Sequence, residues 1–318
     1  MPVDLPAADD VLAAAARIAG HASVTPVLRS RVLDGMAGCE LHFKAEHLQR
    51  GGAFKFRGAC NAVWSLSGEE AARGVVTHSS GNHGAALALA ARSRGIPCHV
   101  VVPEGAVAAK LANIERHGAT VWRCEPTLAA REATCTRIQA GTGAQLVHPY
   151  ADARVIAGQG TATVELVGQA GALDTIVVPV GGGGLAAGTA LALAAVAPGC
   201  RLVLAEPAGA DDTARSLATG ERQTDLVPDT VCDGLRATLG APNFALLRAW
   251  GTEVVVVDDA ATVAAMQLAW QVLKQVVEPS SAIALAAVLA QPARFAGQRV
   301  GVVFTGGNVD LGALPWRG

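Results

Sequence analysis

The chain has 318 residues, of which 51% are hydrophobic and 16% are charged. This length and composition predict a folded protein with one large or two moderate domains, and they exclude a disordered chain. The formal net charge of −2 provides neither a basic surface for nucleic acid nor a polybasic face for a membrane. We therefore expect small-molecule partners or a second copy of the chain, with no nucleic-acid or membrane partner.

The cysteines and the N-terminus predict a cytoplasmic protein. The seven cysteines are odd in number and scattered, without a Cys-x-x-Cys pair, which favours buried free thiols over a disulfide framework. The start of the chain, Met1-Pro2-Val3-Asp4, lacks the basic and apolar regions of a secretion signal. No uninterrupted apolar run is long enough to span a bilayer.

From residue 74 onward, short apolar strands alternate with helical stretches rich in Ala and Leu. In the first half we predict strands at 74–78, 98–102 and 121–124 and helices at 82–94 and 108–117, with a further helix after Pro126. Continuous apolar strands between amphipathic helices are typical of a parallel sheet covered on both faces. The first half is therefore predicted to form one α/β unit.

The same pattern begins again after residues 148–150, which indicates a second α/β unit. Its predicted strands are 175–180, 201–205, 253–257 and 299–305, with helices at 186–196 and 260–274. Met266, Trp270 and Leu273 recur at helical spacing in the last helix, and we interpret this stripe as core packing.

Lys55 is the first candidate for chemistry. It lies between Gly51 and Ala59 among glycines and two phenylalanines, in a chain with only four lysines among 25 basic residues. Burial lowers the pKa of an amine, and the neutral form can attack a carbonyl carbon. The alternative is a lysine whose stem lies in a glycine-rich turn and whose amine reaches solvent.

A run of four glycines, Gly181 to Gly184, follows a predicted strand and precedes a helix. Without side chains, the backbone N–H groups can approach an anion, and the helix dipole favours negative charge there. The run lacks the Gly-Lys-Ser/Thr of a Walker loop and the glycine spacing of a dinucleotide site. It predicts a phosphate cradle, with a tight strand-to-helix turn as the alternative.

Two polar segments also lie where predicted strands end. Ser79-Ser80-Gly81-Asn82-His83 combines hydroxyls, an amide and helix N–H groups, which suit a carboxylate. Ordinary N-capping by Ser80 is the alternative. Thr305 ends the last predicted strand and places a hydroxyl at the carboxyl edge of a sheet, where ligands of open α/β sheets bind.

An amine, a phosphate cradle, a carboxylate loop and a hydroxyl together match pyridoxal phosphate holding an amino acid. From about Thr25 to Asp310, the chain resembles the fold-type II pyridoxal phosphate enzymes. The resemblance implies a tryptophan-synthase-β-like α/β fold with two open, twisted, mostly parallel sheets flanked by helices. It implies a large cofactor domain of residues 1–73 and 150–318 and a small domain of residues 74–149 that carries the substrate loop.

The resemblance also implies roles for individual residues. Lys55 corresponds to the cofactor lysine, and Thr305 to the residue that faces the pyridine nitrogen. The remaining cofactor-binding positions are the ring-stacking Phe54, Asn82 at the phenolic oxygen, and the phosphate loop of Gly181, Gly182, Gly183, Gly184 and Leu185. The implied substrate-binding positions are Ser79, Ser80, Gly81, Asn82, His83 and Arg131. Arg131 would bind the substrate carboxylate, and an exposed helical arginine is the alternative for it.

Within these enzymes, the chain resembles the serine racemase and serine/threonine dehydratase group. In that group a serine at the position of Ser80 is the acid/base opposite the lysine, whereas many dedicated threonine deaminases carry Ala there. The resemblance implies conversion of L-serine to pyruvate and of L-threonine to 2-oxobutanoate, each with ammonia, together with serine racemase activity.

Other functions remain open at this point. A 3-hydroxyaspartate dehydratase shares the Ser-Ser-Gly-Asn-His loop, and a β-replacement synthase shares the fold and the lysine. The loop of such synthases usually reads Thr-Ser-Gly-Asn-Thr, which His83 does not match. A nucleotide- or phosphate-binding module without catalysis is the alternative from another class.

The segment from Glu206 to Asp212 resembles the divalent cation site of the group. There Glu206, the Ala210 carbonyl and Asp212 would bind Mg²⁺, or else Ca²⁺ or Mn²⁺, which are hard cations that prefer oxygen ligands. A solvated acidic turn is the alternative. The resemblance further implies a homodimer.

Overall fold

The computed structural model describes residues 5–106 and 108–316. The helices are α1 Ala8–Ile18, α2 Arg31–Ala37, α3 Lys55–Trp64, α4 Gly68–Arg73, α5 Asn82–Arg94, α6 Ala108–Arg116, α7 Leu128–Thr142, α8 Ala153–Ala170, α9 Gly184–Val196, α10 Asp212–Thr219, α11 Ala241–Trp250, α12 Asp259–Leu268, α13 Pro279–Ala290 and α14 Pro292–Phe295. The strands are β1 Val27–Leu28, β2 Glu40–Ala45, β3 Val75–Thr77, β4 Cys98–Pro103, β5 Thr120–Cys124, β6 Gln145–Leu146, β7 Thr175–Pro179, β8 Arg201–Pro207, β9 Glu253–Val257 and β10 Arg299–Phe304.

The strands form two sheets. The six-stranded sheet has the order β1-β2-β10-β7-β8-β9, and the four-stranded sheet has the order β5-β4-β3-β6. Only the short strand β1 is antiparallel to its neighbour, and every other pair among the described strands is parallel. The predicted α/β architecture of two mostly parallel sheets flanked by helices is confirmed. The predicted domain boundaries at residues 73/74 and 149/150 stay a prediction.

Alternate residues of the central strands are buried in different clusters, as expected for sheets covered on both faces. In the six-stranded sheet, Val177 and Val302 pack in one cluster, whereas Val178 and Val303 pack in another. Burial on both faces explains why apolar and polar residues do not alternate along the central strands. The resulting apolar runs allow these strands to be predicted from the sequence.

One predicted helix ends differently from its prediction. The segment predicted as helix 260–274 forms α12 and then a π-helical turn, Ala269–Leu273, that ends at Lys274 in a left-handed conformation (φ 59°). Met266 is fully buried, and Trp270 and Leu273 pack against the same cluster, so the interpretation of this stripe as core is confirmed.

The seven cysteines are all buried, and none forms a disulfide. Burial raises the pKa of several of these thiols, for example that of Cys98 to about 12. None of the helices in the described part of the chain is long and apolar enough to cross a bilayer.

Close glycine contacts join helices α3, α8 and α9. A Cβ at Gly58 of α3 would lie 2.8 Å from the Val155 carbonyl oxygen of α8, and a Cβ at Gly158 would lie 2.8 Å from the Arg57 carbonyl oxygen. On the other side of α8, a Cβ at Gly160 would lie 2.4 Å from the Gly188 carbonyl oxygen of α9. No larger residue fits these contacts, because interiors are packed at crystal-like density.

A buried ion-pair network fixes α3 from its other side. The Arg57 guanidinium, which is fully buried, donates two hydrogen bonds to Glu46 (2.7 and 2.8 Å) and two to Glu165 (2.8 and 2.7 Å). The Lys44 amine donates to the same Glu165 carboxylate at 2.7 Å. Bidentate pairs of this kind are geometrically specific, so the network fixes the orientation of α3 relative to α8 and β2.

Replacing Arg57 with Met should lower the free energy of unfolding by about 3–5 kcal/mol, because the buried Glu46 carboxylate loses its partner. Chemical unfolding of the variant and the wild type measures this difference. The control is Arg29→Met, which breaks a surface pair with Glu40 whose side chains are 42% and 41% exposed. The control should cost under about 1 kcal/mol, and equal losses in both variants would contradict the account.

Candidate active site

Lys55 lies at the start of α3, directly beside the end of β10. The Phe54 N–H donates to the Thr305 carbonyl at 2.9 Å, and Ala53 pairs with Gly306 in an isolated antiparallel bridge. The segment before the lysine is thereby joined to the carboxyl edge of the six-stranded sheet. Thr305 is buried, and its hydroxyl lies 3.4 Å from the Ser280 carbonyl oxygen.

The environment of the Lys55 amine favours its neutral form. Burial lowers its pKa from 10.5 to about 8, although the Glu278 carboxylate acts in the opposite direction. The amine donates to the Pro149 carbonyl at 3.1 Å and lies 5.1 Å from the centroid of the Phe54 ring. An amine that is protonated only below about pH 8 is suited to covalent and proton-transfer chemistry near neutral pH.

The glycine run forms a buried loop between β7 and α9. Gly183 is the N-cap of α9 and adopts a left-handed conformation (φ 87°) that favours glycine. A Cβ at Gly182 would lie 2.4 Å from the Tyr150 ring, and a Cβ at Gly181 would lie 2.8 Å from the Leu235 Cα. The loop therefore presents backbone N–H groups at a helix N-terminus without side chains, which fits the phosphate of pyridoxal phosphate. The following residue, Leu185, is buried in the core behind the loop.

The segment Ser79–Gly81 connects β3 to α5. The N-cap of α5 is Gly81, and no side chain caps this helix, so the alternative of N-capping by Ser80 is wrong. Ser79, Ser80 and Gly81 are half-buried, next to the unpaired N–H groups at the start of the helix. Hydroxyls and helix N–H groups at one place suit a carboxylate ligand.

His83, in the first turn of α5, is fully packed. One ring nitrogen, Nε2, lies 3.2 Å from the Val147 carbonyl oxygen, which fixes the hydrogen on Nε2. Burial, together with the nearby Lys55 charge, holds the pKa of His83 well below its ordinary value. The imidazole is therefore neutral at physiological pH.

A cluster of two side-chain amides and one carboxylate connects the glycine-containing segments around residues 51, 82 and 308. The Asn82 amide donates to Glu278 at 2.9 Å, and the Asn308 amide donates both to Asn82 Oδ1 at 3.0 Å and to the Gly51 carbonyl at 2.9 Å. The backbone N–H of Asn308 also donates to Glu278 at 3.1 Å. From sequence, Glu278 is expected near the site, with an acid at a helix N-terminus as the alternative, and it is both the N-cap of α13 and a partner of Asn82. Asn308 has no predicted role, and its only sequence signal is its position after Thr305-Gly306-Gly307.

Three rings, those of His78, His148 and Tyr150, form a second group within range of the Arg131 charge. The His148 ring lies 5.2 Å from the His78 ring and 4.6 Å from the Tyr150 ring, centroid to centroid. Burial lowers the pKa of His148 to about 4, so this imidazole is also neutral. Arg131 is half-buried on α7, and its charge contributes to lowering the pKa of His78. Its guanidinium donates to the Thr127 carbonyl one turn earlier, at 3.3 Å.

The residues predicted to bind a metal are connected to the glycine loop through hydrogen bonds of an intervening segment. Glu206 is fully buried and accepts the N–H groups of Thr213 and Ala214, each at 2.8 Å. Burial raises the pKa of Glu206 to about 8, and the charge of Asp212 adds to the effect. Asp212 accepts the Leu239 N–H at 2.7 Å, and both carboxylates are buried, so the alternative of a solvated turn is wrong for them.

The segment that Asp212 binds also contacts the glycine loop. Gly240, which follows Leu239, donates its N–H to the Gly182 carbonyl at 3.1 Å. Within the described residues, no group of three or more His, Cys, Asp or Glu side chains could hold a metal ion. A cation here would rely on two carboxylates and backbone carbonyls, including that of the buried Ala210.

Comparison with known proteins identifies the class of protein. Residues 18–306 match the family described as "Pyridoxal-phosphate dependent enzyme". The chain is 48% identical to a β-hydroxyaspartate dehydratase from Paracoccus denitrificans, covering 98% of this chain and 99% of that protein. It is 48% identical to a serine racemase from Arabidopsis thaliana, covering 94% and 92%. The solved structure of maize serine racemase superposes with a TM-score of 0.94 at 44% identity, covering 97% and 95%.

The chain belongs to the pyridoxal phosphate-dependent enzymes of fold-type II. It is more particularly a member of the group that contains serine racemases and amino-acid ammonia-lyases, since a solved T.th. threonine deaminase also superposes with a TM-score of 0.91 at 41% identity. That alignment covers 96% of this chain and 99% of the deaminase. The geometry brings Phe54, Lys55, Thr305 and the glycine loop to one region, with Asn82 joined to it through Asn308.

The rate at which pyridoxal phosphate bonds covalently to the cofactor-free protein should rise with pH around a midpoint of about 8. The reason is that only the neutral Lys55 amine is nucleophilic. Stopped-flow absorbance would measure this rate from pH 6 to pH 10, which is about two pH units on either side of the midpoint. In Glu278→Gln, which removes the carboxylate that raises this pKa, the midpoint should move to lower pH. A wild-type midpoint near 10.5 would contradict the buried amine.

Proposed function

We propose that this enzyme is a serine/threonine dehydratase that also racemises serine. The observation that carries the proposal is the buried Lys55 amine, with its pKa lowered to about 8, joined through Phe54 to Thr305 at the carboxyl edge of the sheet. The similarity to serine racemases and to a threonine deaminase supports the substrate class.

The proposed roles follow from the chemistry of the residues. The neutral Lys55 amine takes the Cα proton of the amino acid, and the Ser80 hydroxyl exchanges a proton on the opposite face. The N–H groups at the start of α5, with Ser79, Gly81 and Asn82, bind the α-carboxylate. With pyridoxal phosphate bound, the glycine loop and Leu185 would hold its phosphate, Phe54 would contact its ring, and the Thr305 hydroxyl would interact with its ring nitrogen.

Bound pyridoxal phosphate supplies the electron-withdrawing ring that acidifies the Cα proton. Loss of the β-hydroxyl as water and later hydrolysis convert L-serine to pyruvate and ammonia, and L-threonine to 2-oxobutanoate and ammonia. Return of a proton from Ser80 instead gives D-serine. A neutral hydroxyl at Thr305 stabilises a protonated ring nitrogen less than a carboxylate would, which favours elimination and proton return over transamination.

The first test incubates the enzyme with L-serine and measures pyruvate and D-serine in the same reaction. Both products should form, and Ser80→Ala should reduce D-serine formation by a factor of about 10²–10⁴, the usual contribution of a positioned acid or base. Ser65→Ala is the control, because Ser65 lies at the far end of α3 and its hydroxyl donates to the Ala62 carbonyl. Absence of both products in the wild type would contradict the proposal and favour 3-hydroxyaspartate or β-replacement substrates.

A second candidate substrate is 3-hydroxyaspartate, which carries an additional carboxylate. Two relatives support it: the Paracoccus dehydratase and the L-threo-3-hydroxyaspartate ammonia-lyase of Saccharomyces cerevisiae, which is 40% identical over 96% of this chain. The neutral imidazoles of His83 and His148 provide no positive charge for a second carboxylate. Arg131 provides a positive charge here, because it is close enough to act on the pKa values of both His78 and Tyr150.

Replacing Arg131 with Gln should lower kcat/KM for 3-hydroxyaspartate about tenfold or more relative to that for serine, because a charge-assisted bond to the second carboxylate is lost. Arg137→Gln, an exposed arginine of the same helix, is the control. Equal losses for the two substrates would instead assign Arg131 to the carboxylate that both share, and no loss would remove it from the site.

We further propose that Glu206, the Ala210 carbonyl and Asp212 bind Mg²⁺, or Ca²⁺ or Mn²⁺ in its place. Two buried carboxylates with raised pKa values are electrostatically suited to a hard cation. Through Leu239 and Gly240, such an ion would stabilise the glycine loop.

Mg²⁺ should therefore raise the unfolding temperature of the wild type, because a ligand that binds only the folded state stabilises it. Asp212→Asn should abolish this increase, since the amide retains an acceptor for Leu239 but loses the charge. In Asp211→Asn, the matched control, the increase should remain. Retention of the full increase by Asp212→Asn would exclude this site.

Three broader proposals rest on the resemblance and the composition. The division into a large and a small domain at residues 73/74 and 149/150 is supported by the two sheets, whose strands fall on either side of these boundaries. The buried free thiols support a cytoplasmic location. The homodimer is supported by the family resemblance alone, and light scattering would test it.

A further inference from the structure

Asn243 connects two segments on either side of the candidate cofactor site. It lies in the first turn of α11 and is fully buried. Its side-chain amide donates to the Gly182 carbonyl at 2.5 Å and to the Tyr150 carbonyl at 2.8 Å. Both acceptors belong to elements already described, but no role has been assigned to the residue that binds them.

The orientation of the Asn243 amide is determined by its partners. Both hydrogen-bonded groups are carbonyl oxygens, which only accept, so the NH₂ end must face them. The Oδ1 atom, at the other end, is buried without a hydrogen-bond partner among the described residues. Reversing the amide would place three oxygens together, and it is therefore excluded on electrostatic grounds.

The Gly182 carbonyl receives a second hydrogen bond, from the Gly240 N–H at 3.1 Å. With two donors, both lone pairs of this oxygen are used on the protein side of the loop. A trans peptide is planar, and its C=O and N–H point in opposite directions. Anchoring the Gly182 oxygen therefore turns the N–H of Gly183 toward the opposite side of the loop, away from α11.

Gly183 is the N-cap residue of α9 and has a φ of 87°. Its carbonyl accepts the Ala187 N–H at 2.9 Å, so the first turn of α9 fixes the carbonyl group of Gly183. Hydrogen bonds to the Gly182 and Gly183 carbonyls therefore restrict the orientation of the peptide between these residues. Four consecutive glycines would otherwise have several peptide orientations open to them, since glycine adopts positive and negative φ about equally readily.

We propose that Asn243 is a positioning residue that orients the Gly182–Gly183 peptide so that its N–H binds the phosphate of pyridoxal phosphate. The inference rests on the proposed use of the glycine loop as the phosphate cradle. It adds a residue from a different helix, 61 positions later in the chain than Gly182, that determines how well the cradle binds.

The experiment compares two ligands that differ only in the phosphate. Asn243→Asp keeps the side-chain volume but replaces both donors with acceptors, and Asn243→Leu removes the polar group. For cofactor-free full-length protein, fluorescence titration gives the affinity for pyridoxal phosphate and for pyridoxal. The affinity for pyridoxal phosphate should fall about tenfold or more in both variants, the usual consequence of losing a buried hydrogen bond, while that for pyridoxal changes much less.

The control is Asn61→Leu, because Asn61 is also buried and donates to a backbone carbonyl, that of Arg154, at 2.7 Å. It should weaken neither ligand selectively. The ³¹P resonance of the bound cofactor gives a second readout and should shift in the Asn243 variants but not in the control. Circular dichroism confirms that each variant is folded before titration.

Equal weakening of both ligands would overturn the assignment, because it would indicate a general structural role for Asn243. Unchanged affinity for pyridoxal phosphate in Asn243→Asp would overturn it as well. If the wild type binds pyridoxal phosphate no better than pyridoxal, the phosphate cradle itself is wrong, and the proposed function then fails independently of the Asn243 variants.

Discussion

The close packing of three helices is the constraint on which the rest of the structure depends. Helix α8 contacts α3 through Gly58 and Gly158, and it contacts α9 through Gly160 and Gly188. Lys55 is the first residue of α3, and Gly184 is the first residue of α9. Because α8 holds both helices at backbone contact distance, the Lys55 amine and the glycine loop have a fixed separation. The Arg57 network then prevents α3 from rotating, since its two carboxylate partners lie beside β2 and on α8.

The electrostatics of the site follow from burial. The Lys55 amine and the His83 and His148 imidazoles all have lowered pKa values because each is removed from water. The region around the amine therefore carries little fixed positive charge. The groups available to an anionic ligand are instead the N-termini of α9 and α5 and the Arg131 guanidinium in the first turn of α7.

The sequence predicted the parts of the fold and site that depend on local pattern. Strand β9 and helix α5 have their predicted bounds, because apolar runs and a C-terminal glycine mark them clearly. Helix α8 was not predicted, because its glycines and threonines serve packing and contradict helix propensity. The contacts of Asn243 and Asn308 could not be predicted, since each side chain donates to the backbone carbonyl of a segment distant in sequence.

The most direct test of the account is to reduce the holoenzyme with borohydride and to locate the pyridoxyl label by peptide mass spectrometry. A single label is expected on Lys55, the lysine whose buried amine lies beside Phe54 and Pro149. Lys44 is paired with Glu165 in the interior and should remain unlabelled. A label on another lysine, or a protein that retains no reducible cofactor, would contradict the proposed site.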